Sequence, residues 1–466
     1  MATWKAMSRQ RLGNGSKNPP SLFFSLIAIA SKEASHVLTD GKDGGNDKVV
    51  TIKQGLRQNL GQFVILIIVN AFVGAMIGLE QTVVPLIGKN EFGIESNAII
   101  LSFIASFGLV KAILNLYAGS LAERWGRKKV LVVGWLFGIP VPFILLSAPD
   151  WNWIIFANVL LGVNQALAWS MTVNMKLDLV GKERRGLALG LNEFAGYLSV
   201  AVVGFVTGYL ASIYGLKPFP FYIGIGFAAI GTILSAIIVR DTKQFMLLET
   251  QSHQKQEGEG DNVDRLSFKQ VFVQTSWKNR TLLAVSQAGL VNNLVFGVSW
   301  GLFTLYFASF NLNVNEIGLL KALHPAVWGV LQLVTGSFSD KVGRKVLVYT
   351  GMIVQAIGIW TVIFSGSTLG WIAGMSLLGV GTALVYPTLL AAISDIAHPK
   401  WRATSLGVYR FWRDLGFVFG AIGVGFLADL FGVTTAIQSV AWIALASGVF
   451  VFLVMRETHS KPSKQA

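Results

Sequence analysis

The sequence contains no cysteine, and only 13% of its 466 residues are charged. The lack of cysteine excludes disulfides, thiolate metal sites and cysteine nucleophiles. The five histidines are scattered, and none stands in a spacing such as His-x3-His, so we expect no metal site. The chain also has no phosphate-binding loop and no pattern of a catalytic triad. These absences argue against an enzyme and against a bound cofactor.

Hydrophobic residues make up 53% of the chain, and its mean hydropathy is +0.57. The surface of a soluble protein does not tolerate this excess over such a length. The composition therefore predicts a membrane protein in contact with the lipid bilayer. The formal net charge is +14, but the basic residues lie mainly in short loops and at the termini, with no soluble domain to present them as a groove. We expect no nucleic-acid partner.

Two basic segments share one pattern. The first runs from Gly119 to Lys129 and reads GSLAERWGRKK, and the second runs from Gly336 to Val346 and reads GSFSDKVGRKV. Each begins at the tail of an apolar segment and passes through an acid and a base to a Gly-Arg-Lys turn. Such a turn suits a tight loop just outside a membrane.

The offset between these two segments, from Gly119 to Gly336, also relates a second pair of segments. Their matching residues are Asp178, Arg185 and Gly190 in the first copy and Asp395, Arg402 and Gly407 in the second. One offset across four separate loops indicates that the membrane part consists of two halves duplicated in parallel. Internal repeats of this kind are common in transporters.

The first pattern, placed after the second and again after the eighth hydrophobic segment, resembles the loop motif of the major facilitator superfamily. This chain departs from the motif in two conservative places: Glu123 stands where the family usually has Asp, and Lys341 where Arg is commoner. The resemblance implies an all-α membrane protein with twelve transmembrane helices in two six-helix bundles. It also implies a carrier that rocks between outward-open and inward-open states, and we expect it to function as a monomer.

Twelve apolar segments are long enough to span a bilayer, which takes about 20 residues of helix. In the first half they cover residues 61–88, 97–121, 130–148, 153–175, 186–211 and 219–239. In the second half they cover residues 281–309, 316–339, 346–365, 370–394, 403–430 and 434–455. The predicted organisation is an amino-terminal tail 1–60, a bundle 61–239, a central loop 240–280, a bundle 281–456 and a carboxyl-terminal tail 457–466.

Two segments outside the spans are also informative. The run 21–30 is apolar but too short to span; it suits a disordered or interfacial tail, and the alternative is a signal or transit segment. The central loop is too polar to fold alone, but its apolar residues stand at loosely helical spacing. A short helix on the inner membrane surface is therefore expected, with a plain linker as the alternative. These apolar residues are Leu266, Phe268, Val271, Phe272 and Trp277.

Lysine and arginine are distributed unevenly between the two predicted membrane faces. One face carries Lys53, Arg57, Arg124, Arg127, Lys128, Lys129, Lys182, Arg184, Arg185, Lys341, Arg344, Lys345, Lys400, Arg402 and Arg456. The other face carries only Lys89 and Lys217. The positive-inside rule then places both termini in the cytosol. The expected location is a bacterial inner membrane.

The repeated loops also predict gate residues. Asp178 and Arg127, and likewise Asp395 and Arg344, stand at the cytosolic ends of neighbouring helices, where ion pairs can hold the inner side shut. The resemblance places the motif acid, Glu123, near the amino end of helix eleven, where a negative charge suits the helix dipole. The alternative is that these residues only set topology. The candidate gate residues are Gly119, Glu123, Arg124, Gly126, Arg127, Lys128, Asp178, Arg185, Gly336, Asp340, Lys341, Gly343, Arg344, Asp395 and Arg402.

Charges inside the spans are costly and therefore point to function. The interior charged residues are Glu80, Lys111, Glu193, Lys321, Arg410, Arg413 and Asp414, to which the titratable His324 is added. At 1.5 Å per residue, Lys111 and Asp414 lie about 18 Å from the cytosolic end and are predicted to pair. Structural ion pairs between helices are the alternative. Glu80 and Lys321 lie about 28 Å from that end and are predicted near the external mouth, as an outer gate.

Glu193 and Arg410 are repeat equivalents, since they are related by the same offset, yet they carry opposite charges. The two halves therefore differ electrostatically at one matched position, as a site for an asymmetric ligand requires. Glu80 and Glu193 are the candidates for proton coupling, because burial favours a protonated carboxyl.

Uncharged polar and aromatic residues complete the predicted cavity. They are Asn164, Gln165, Trp169, Asn192, Gln287, Asn292, Asn293, Trp300 and Tyr386. Their amides suit hydrogen bonds to a sugar, an amino acid or a carboxylate, or they only bridge helices.

The sequence thus predicts a secondary active transporter for a small solute, coupled to protons. Four interior bases against three acids leave a net charge of +1, which favours an anionic or polar metabolite. A drug/proton exporter is an alternative, although no proline lies between Pro149 and Pro218, where such exporters usually have a Gly-Pro pair. An uncoupled facilitator and a non-transporting receptor or assembly factor with the same fold remain further alternatives.

Overall fold

The structure is a computed structural model that describes residues 54–181, 185–245 and 266–459. Three groups of predictions lie outside these residues. They concern the amino-terminal tail up to residue 53 with its apolar run, the basic residues Lys182 and Arg184, and the acidic part of the central loop. The carboxyl-terminal tail is described up to residue 459.

Twelve helices of the described residues are long and apolar enough to cross a membrane, which confirms the predicted number. In the first half they are α1 (Leu60–Asn90), α2 (Asn97–Trp125), α3 (Arg127–Ser147), α4 (Trp151–Val180), α5 (Arg185–Tyr214) and α6 (Phe219–Ile238). In the second half they are α7 (Arg280–Ala308), α8 (Val314–Val342), α9 (Arg344–Ser365), α10 (Thr368–Ile396), α11 (Trp401–Phe431) and α12 (Val433–Val454). The described residues form no strand.

The helices begin and end at residues that cap or interrupt them. The repeated Gly-Arg-Lys turns end α2 at Gly126 and α8 at Gly343, whose φ angles of +91° and +110° favour glycine. At their other ends, α2 begins after the capping side chain of Ser96, and α8 begins with a capping box of Asn313 and Glu316. The duplicated motif therefore reverses the chain between consecutive helices in both halves.

Successive helices run in opposite directions, so the helix termini form two sets. The basic end of the molecule contains the two Gly-Arg-Lys turns and the first residues of α1, α5, α7 and α11. The opposite end contains the turns between α1 and α2, between α5 and α6, and between α7 and α8. Its bases include Lys217, which pairs with Glu91 at 2.9 Å.

The helices pack as two halves, α1–α6 and α7–α12. Within the halves, α1 packs on α5 and α9 packs on α10 and α12. Between the halves, the most extensive contacts join α5 to α8 and α2 to α11. Residues that line the space between the halves therefore come from few helices, at positions set by the rotation of each helix about its axis.

The two halves are tied together at the opposite end, and α5 and α8 stay in contact close to the basic end, where a Cβ added to Gly190 would lie 3.1 Å from Gln332 O. On α5 and α8, a Cβ atom added to Gly208 would lie 3.0 Å from the Cα of Gly318, so the backbones touch near the opposite end. At the basic end of the same two helices, a Cβ added to Gly186 or Gly336 would meet no described atom within 4 Å. Gly119, at the basic end of α2, has the same free space. The structure is closed at the opposite end.

A short helix precedes α7, as the spacing of apolar residues in the central loop predicts. It covers Phe268–Val273 and continues as a π-helical turn over Gln274–Lys278. Trp412 of α11 donates its indole N–H to Ser276 Oγ at 2.8 Å, and the hydroxyls of Thr275 and Ser405 lie 2.9 Å apart. This linker helix is therefore attached to α11. Its predicted place on the membrane surface stays a prediction.

Candidate functional site

A cavity lies between the two halves, halfway along the helices. It is lined by α2, α4 and α5 of the first half and by α10 and α11 of the second, and its space, including the mouth, measures about 420 Å³. Four charged side chains line it: Lys111, Glu193, Arg410 and Arg413. A molecule bound here would contact both halves at once.

Arg413 is paired with its neighbour on α11. Its Nη2 atom lies 2.8 Å from Oδ1 of Asp414, a side chain with no exposed surface. Asn293 donates to the same oxygen at 3.1 Å, and Asn115 donates to the other carboxylate oxygen at 2.5 Å. Lys111 and Asp414 form no direct ion pair, because Arg413 and the two amides bind this carboxylate, but Asp414 still acts on Lys111 electrostatically.

Lys111 and Arg410 are the two cationic side chains of the cavity that have no direct ion-pair partner among the described residues. Neither forms a hydrogen bond or an ion pair within residues 54–181, 185–245 and 266–459, and both line the cavity. The Nζ atom of Lys111 lies 5.2 Å from the ring centroid of Phe107, 5.8 Å from that of Phe417 and 6.0 Å from that of Trp169. These rings attract a cation weakly. An anion would bind it more strongly.

Glu193 is the one acid among the charged side chains that line the cavity. Its Oε1 atom accepts from Asn192 Nδ2 at 2.8 Å and from the indole N–H of Trp169 at 3.2 Å. Its Oε2 atom is buried and has no hydrogen-bond partner in the described part of the chain. Arg410 and Arg413 are near enough to act on Glu193 electrostatically. The carboxyl is therefore oriented through one oxygen, and its other oxygen is buried without a partner.

Aromatic rings form much of the remaining wall. Trp169 lies in a π-helical turn of α4 (Gln165–Trp169), where the extra residue per turn re-aims the side chains. Tyr197 of α5 stacks on Trp328 with ring centroids 3.4 Å apart. Tyr386 of α10 lies under the guanidinium of Arg413, 5.1 Å from its carbon. These contacts hold the rings, and the three rings line the cavity from both halves.

Seven of the predicted candidates line this cavity, and the others lie elsewhere. The seven are Lys111, Gln165, Trp169, Glu193, Tyr386, Arg410 and Arg413. Three more candidates lie outside the lining and contact lining residues or one another: Asn192 donates to Glu193, Asp414 pairs with Arg413, and Asn293 donates to Asp414. The remaining amides bridge helices: Asn164 donates to Gly134 O, Gln287 accepts from Ser447, and Asn292 accepts from Gln355. Trp300 is buried between Phe103 and Phe107.

The predicted outer gate of Glu80 and Lys321 is not formed. Glu80 has no exposed surface and lies beside Asn158 in the core of the first half. Lys321 lies next to His324 in the core of the second half, and the His324 ring contacts Ser299 and Thr382. Each charge is enclosed by its own bundle, because its helix turns it away from the other half.

Sequence reasoning missed several residues of the site. Asn115 and Tyr197 line the cavity, and each stands four residues after a predicted charge, Lys111 and Glu193. That spacing places each of them on the same helix face as the predicted charge, so the sequence could have indicated both residues. The sequence analysis also did not predict Lys176, which is fully buried and donates to Leu66 O at 3.0 Å.

The two predicted ion pairs at the basic end are present. Arg127 Nε lies 3.0 Å from Asp178 Oδ2, and Arg344 Nε lies 3.3 Å from Asp395 Oδ2. Arg344 also contacts Asp340 at 2.6 Å. However, the pairs join α3 to α4 and α9 to α10, so each lies within one half. They stiffen the halves, and their predicted part in holding the inner side shut stays a prediction.

Residues after the last helix of each half complete these networks. Thr242 donates to Asp178 at 2.6 Å, and Thr458 donates to Asp395 at 3.0 Å. Asp241 and Glu457 accept from the first backbone N–H groups of α3 and α9. Partial burial alone would raise the pKa of Glu457, but backbone N–H groups from residues 344, 345, 458 and 459 hold it below its usual value.

Glu123 does not act as a latch in this structure. Its side chain is exposed and forms no hydrogen bond or ion pair with the described residues. The neighbouring Gly119 faces free space as well. The predicted contact with the amino end of α11 is absent among the described residues.

The tie at the opposite end comes from Asp429, which the sequence did not single out. This residue of α11 accepts hydrogen bonds from the start of α2, in the other half. The donors are the Ser96 hydroxyl at 2.6 Å, the Asn97 backbone at 2.5 Å, the Asn97 side chain at 3.0 Å and the Ala98 backbone at 3.2 Å. A second tie joins the Thr304 hydroxyl of α7 to Gln81 O of α1 at 3.1 Å. Asp429 thus caps a helix of the other half.

Comparison with known proteins agrees with this architecture. A family model described as Major Facilitator Superfamily matches residues 60–296 and 285–466. An uncharacterised MFS-type transporter of Methanocaldococcus jannaschii is 24% identical over 75% of this chain and 86% of its own length. Multidrug resistance protein 1 of Bacillus subtilis is 24% identical over 77% of this chain and 87% of its own length. A probable 4-methylmuconolactone transporter of Cupriavidus pinatubonensis is 23% identical over 75% of this chain and 80% of its own length.

The motif in both halves, the twelve helices and the family match agree with one another. The relatives named above are transporters rather than enzymes. The chain belongs to the Major Facilitator Superfamily and is a multi-pass integral membrane transporter.

Proposed function

We propose that this protein carries a small organic anion across a bacterial cytoplasmic membrane by alternating access, with protons as the coupling ion. The observation that carries this proposal is the charge of the central cavity. Lys111 of one half and Arg410 of the other reach the cavity without a hydrogen-bond or ion-pair partner among the described residues, whereas Arg413 is neutralised by Asp414.

The charge balance favours a bound anion. Three bases and one acid line the cavity, and Asp414 behind them brings the net charge to +1 when Glu193 is ionised. A cation held at membrane depth without a counter-ion is unfavourable. An anion between Lys111 and Arg410 would supply that counter-ion. Because the two cations belong to different halves, the same anion would bind both halves during the rocking motion.

The closed end of the structure supports alternating access. The positive-inside rule assigns the basic end to the cytosol. The tie between Asp429 and the start of α2 then lies on the outer side, so the outer side is the closed one. We assign the structure to the inward-facing state, in which the cavity exchanges substrate with the cytosol.

Glu193 is the residue that we assign to proton coupling. In the empty carrier burial disfavours its charge, and Arg410 and Arg413 partly offset that effect. A substrate anion that binds Arg410 takes part of that stabilisation away, so the carboxyl binds a proton instead. One proton would then accompany each anion, and its release would restore the attraction between Glu193 and Arg410. Glu80 does not fit this role, because it lies outside the cavity.

The names of the relatives leave the substrate open, since they include multidrug resistance proteins and a lactone transporter. A lipophilic cation would have to approach Lys111, Arg410 and Arg413. The charge of the cavity therefore favours the anion over the drug.

The proposal is tested by thermal unfolding of the purified protein with pools of anionic, neutral and cationic metabolites, since a ligand that binds the folded state raises its stability. Arg410→Gln removes one unpaired cation, and Arg240→Gln, at an exposed position after α6, is the matched control. We expect an anion pool to stabilise the native protein and Arg240→Gln but not Arg410→Gln. Stabilisation by lipophilic cations instead would identify a drug exporter, and no stabilisation by any pool would favour a receptor.

A further inference from the structure

We infer that the transported anion is an aromatic carboxylate that carries a hydroxyl group on its ring. This inference rests on the proposed anion transport and concerns the same cavity. Three features carry it: the aromatic side chains of the walls, the two cations without partners, and the buried Gln165 Oε1 atom, which lacks a hydrogen-bond donor.

The walls of the cavity suit a flat apolar body. Trp169 and Tyr197 belong to the first half and Tyr386 to the second, so rings face the cavity from both sides. Contacts with Glu193, Trp328 and Arg413 fix the three rings in place. Rings that are already ordered lose little entropy when a ligand stacks on them, and an aromatic partner gains more from such contact than an aliphatic one.

The cations fix where the carboxylate binds. Lys111 is only 7% exposed, and the rings of Phe107, Trp169 and Phe417 surround its ammonium group. Arg410 is on the other side of the cavity, with a guanidinium that suits bidentate binding of a planar carboxylate. An anion that reaches Lys111 therefore contacts aromatic edges and faces at the same time.

A buried acceptor indicates that the ligand also brings a donor. Gln165 lines the cavity, and its buried Oε1 atom has no hydrogen-bond partner within the described ranges. The amide of Gln165 cannot simply be turned over, because its nitrogen already donates to Val73 O at 2.8 Å and to Asn164 Oδ1 at 3.2 Å. A hydroxyl group on the ligand would pair with Gln165 Oε1, whereas an unsubstituted ring would leave this oxygen unpaired.

The test is a comparison of binding affinities, measured by calorimetry on the purified full-length protein. The probes are benzoate, the three hydroxybenzoate isomers, cyclohexanecarboxylate, succinate and phenylalanine. We expect at least one hydroxybenzoate to bind about 10-fold or more tightly than benzoate, because a site with buried acceptors discriminates against a ligand that lacks the donor. We expect benzoate to bind more tightly than cyclohexanecarboxylate and succinate.

Gln165→Met is the matching variant, and Gln355→Met, at a buried glutamine of α9 away from the cavity, is its control. Gln165→Met should lower the preference for hydroxybenzoate over benzoate, and Gln355→Met should leave it unchanged. If either variant fails to fold, the series of ligands on the native protein still decides the question.

The outcomes separate this inference from the proposed function. Equal binding of benzoate and cyclohexanecarboxylate, equal binding of benzoate and every hydroxybenzoate, or tightest binding of succinate or phenylalanine would overturn the aromatic hydroxy acid. Binding and transport of succinate in that case would leave the anion carrier standing. If no anion in the series bound and the metabolite pools gave no anion either, both proposals would fall.

Discussion

The contact between Asp429 and the start of α2 predicts how the closed end opens. Four donors of residues 96–98 point at this carboxylate, which belongs to the other half of the molecule. In α8 the corresponding cap is formed within one helix by Asn313 and Glu316. The α2 helix has Ile99 where α8 has Glu316. Its acid comes from Asp429 of the other half, and this contact requires that the opposite end is closed.

Asp429→Ala should therefore shift the equilibrium towards the state in which the opposite end is open. An N-cap side chain contributes about 1 kcal/mol, and a negative charge at a helix start contributes about 0.3–1 kcal/mol. Asp429 is exposed, so water replaces part of what is lost and screens the charge. We expect a net change of about 1 kcal/mol, which corresponds to an approximately fivefold change in the ratio of the two states.

The assay is double electron–electron resonance between spin labels on Lys89→Cys and Ser309→Cys, two exposed positions at the opposite end, one in each half. The natural sequence has no cysteine, so the labels have no competing sites. Asp150→Ala is the matched control, because Asp150 caps α4 within one half by accepting from Asn152 N at 2.8 Å. Asp429→Ala should enlarge the population at longer distance and Asp150→Ala should not. Identical distance distributions in both variants and the native protein would refute the reasoning.

Three further predictions follow from the site and the turns. In proteoliposomes, Glu193→Gln should make anion uptake insensitive to an imposed proton gradient, whereas Glu80→Gln should retain that dependence; the opposite result would assign coupling to Glu80. Lys111→Met should abolish stabilisation by anions, yet the ligand-free protein should unfold at the same or a higher temperature, because an unpaired buried charge is removed; a clear loss of stability would show that Lys111 has a structural partner. Gly126→Ala should lower the free energy of unfolding by about 1–2 kcal/mol, since the φ of +91° strains any other residue, whereas Gly119→Ala, with open space around it, should not destabilise the helix; equal thermal stability of the two variants would contradict this.

The membrane class, the twelve helices and the duplication could be predicted from the sequence, because each depends on information that is local along the chain. An apolar run of sufficient length forms a membrane helix almost regardless of its neighbours. The repeated Gly-Arg-Lys turns were visible as a constant offset, and the pairs of Arg127 with Asp178 and Arg344 with Asp395 followed from it. The depth of Lys111, Glu193, Arg410 and Arg413 followed from the rise of a helix.

The direction in which each side chain faces was decided by tertiary structure alone. Depth along a helix does not fix rotation about its axis, and hydropathy hardly constrains rotation when a helix is apolar on all sides. Glu80 and Lys321 therefore pointed into the cores of the two halves, and Asp414 met Arg413 rather than Lys111. Asp429, near the end of α11, caps a helix that begins after Ser96, in the first half of the chain. No local pattern marks such a contact, because it joins residues that are more than 300 positions apart and meet only where the two halves pack together.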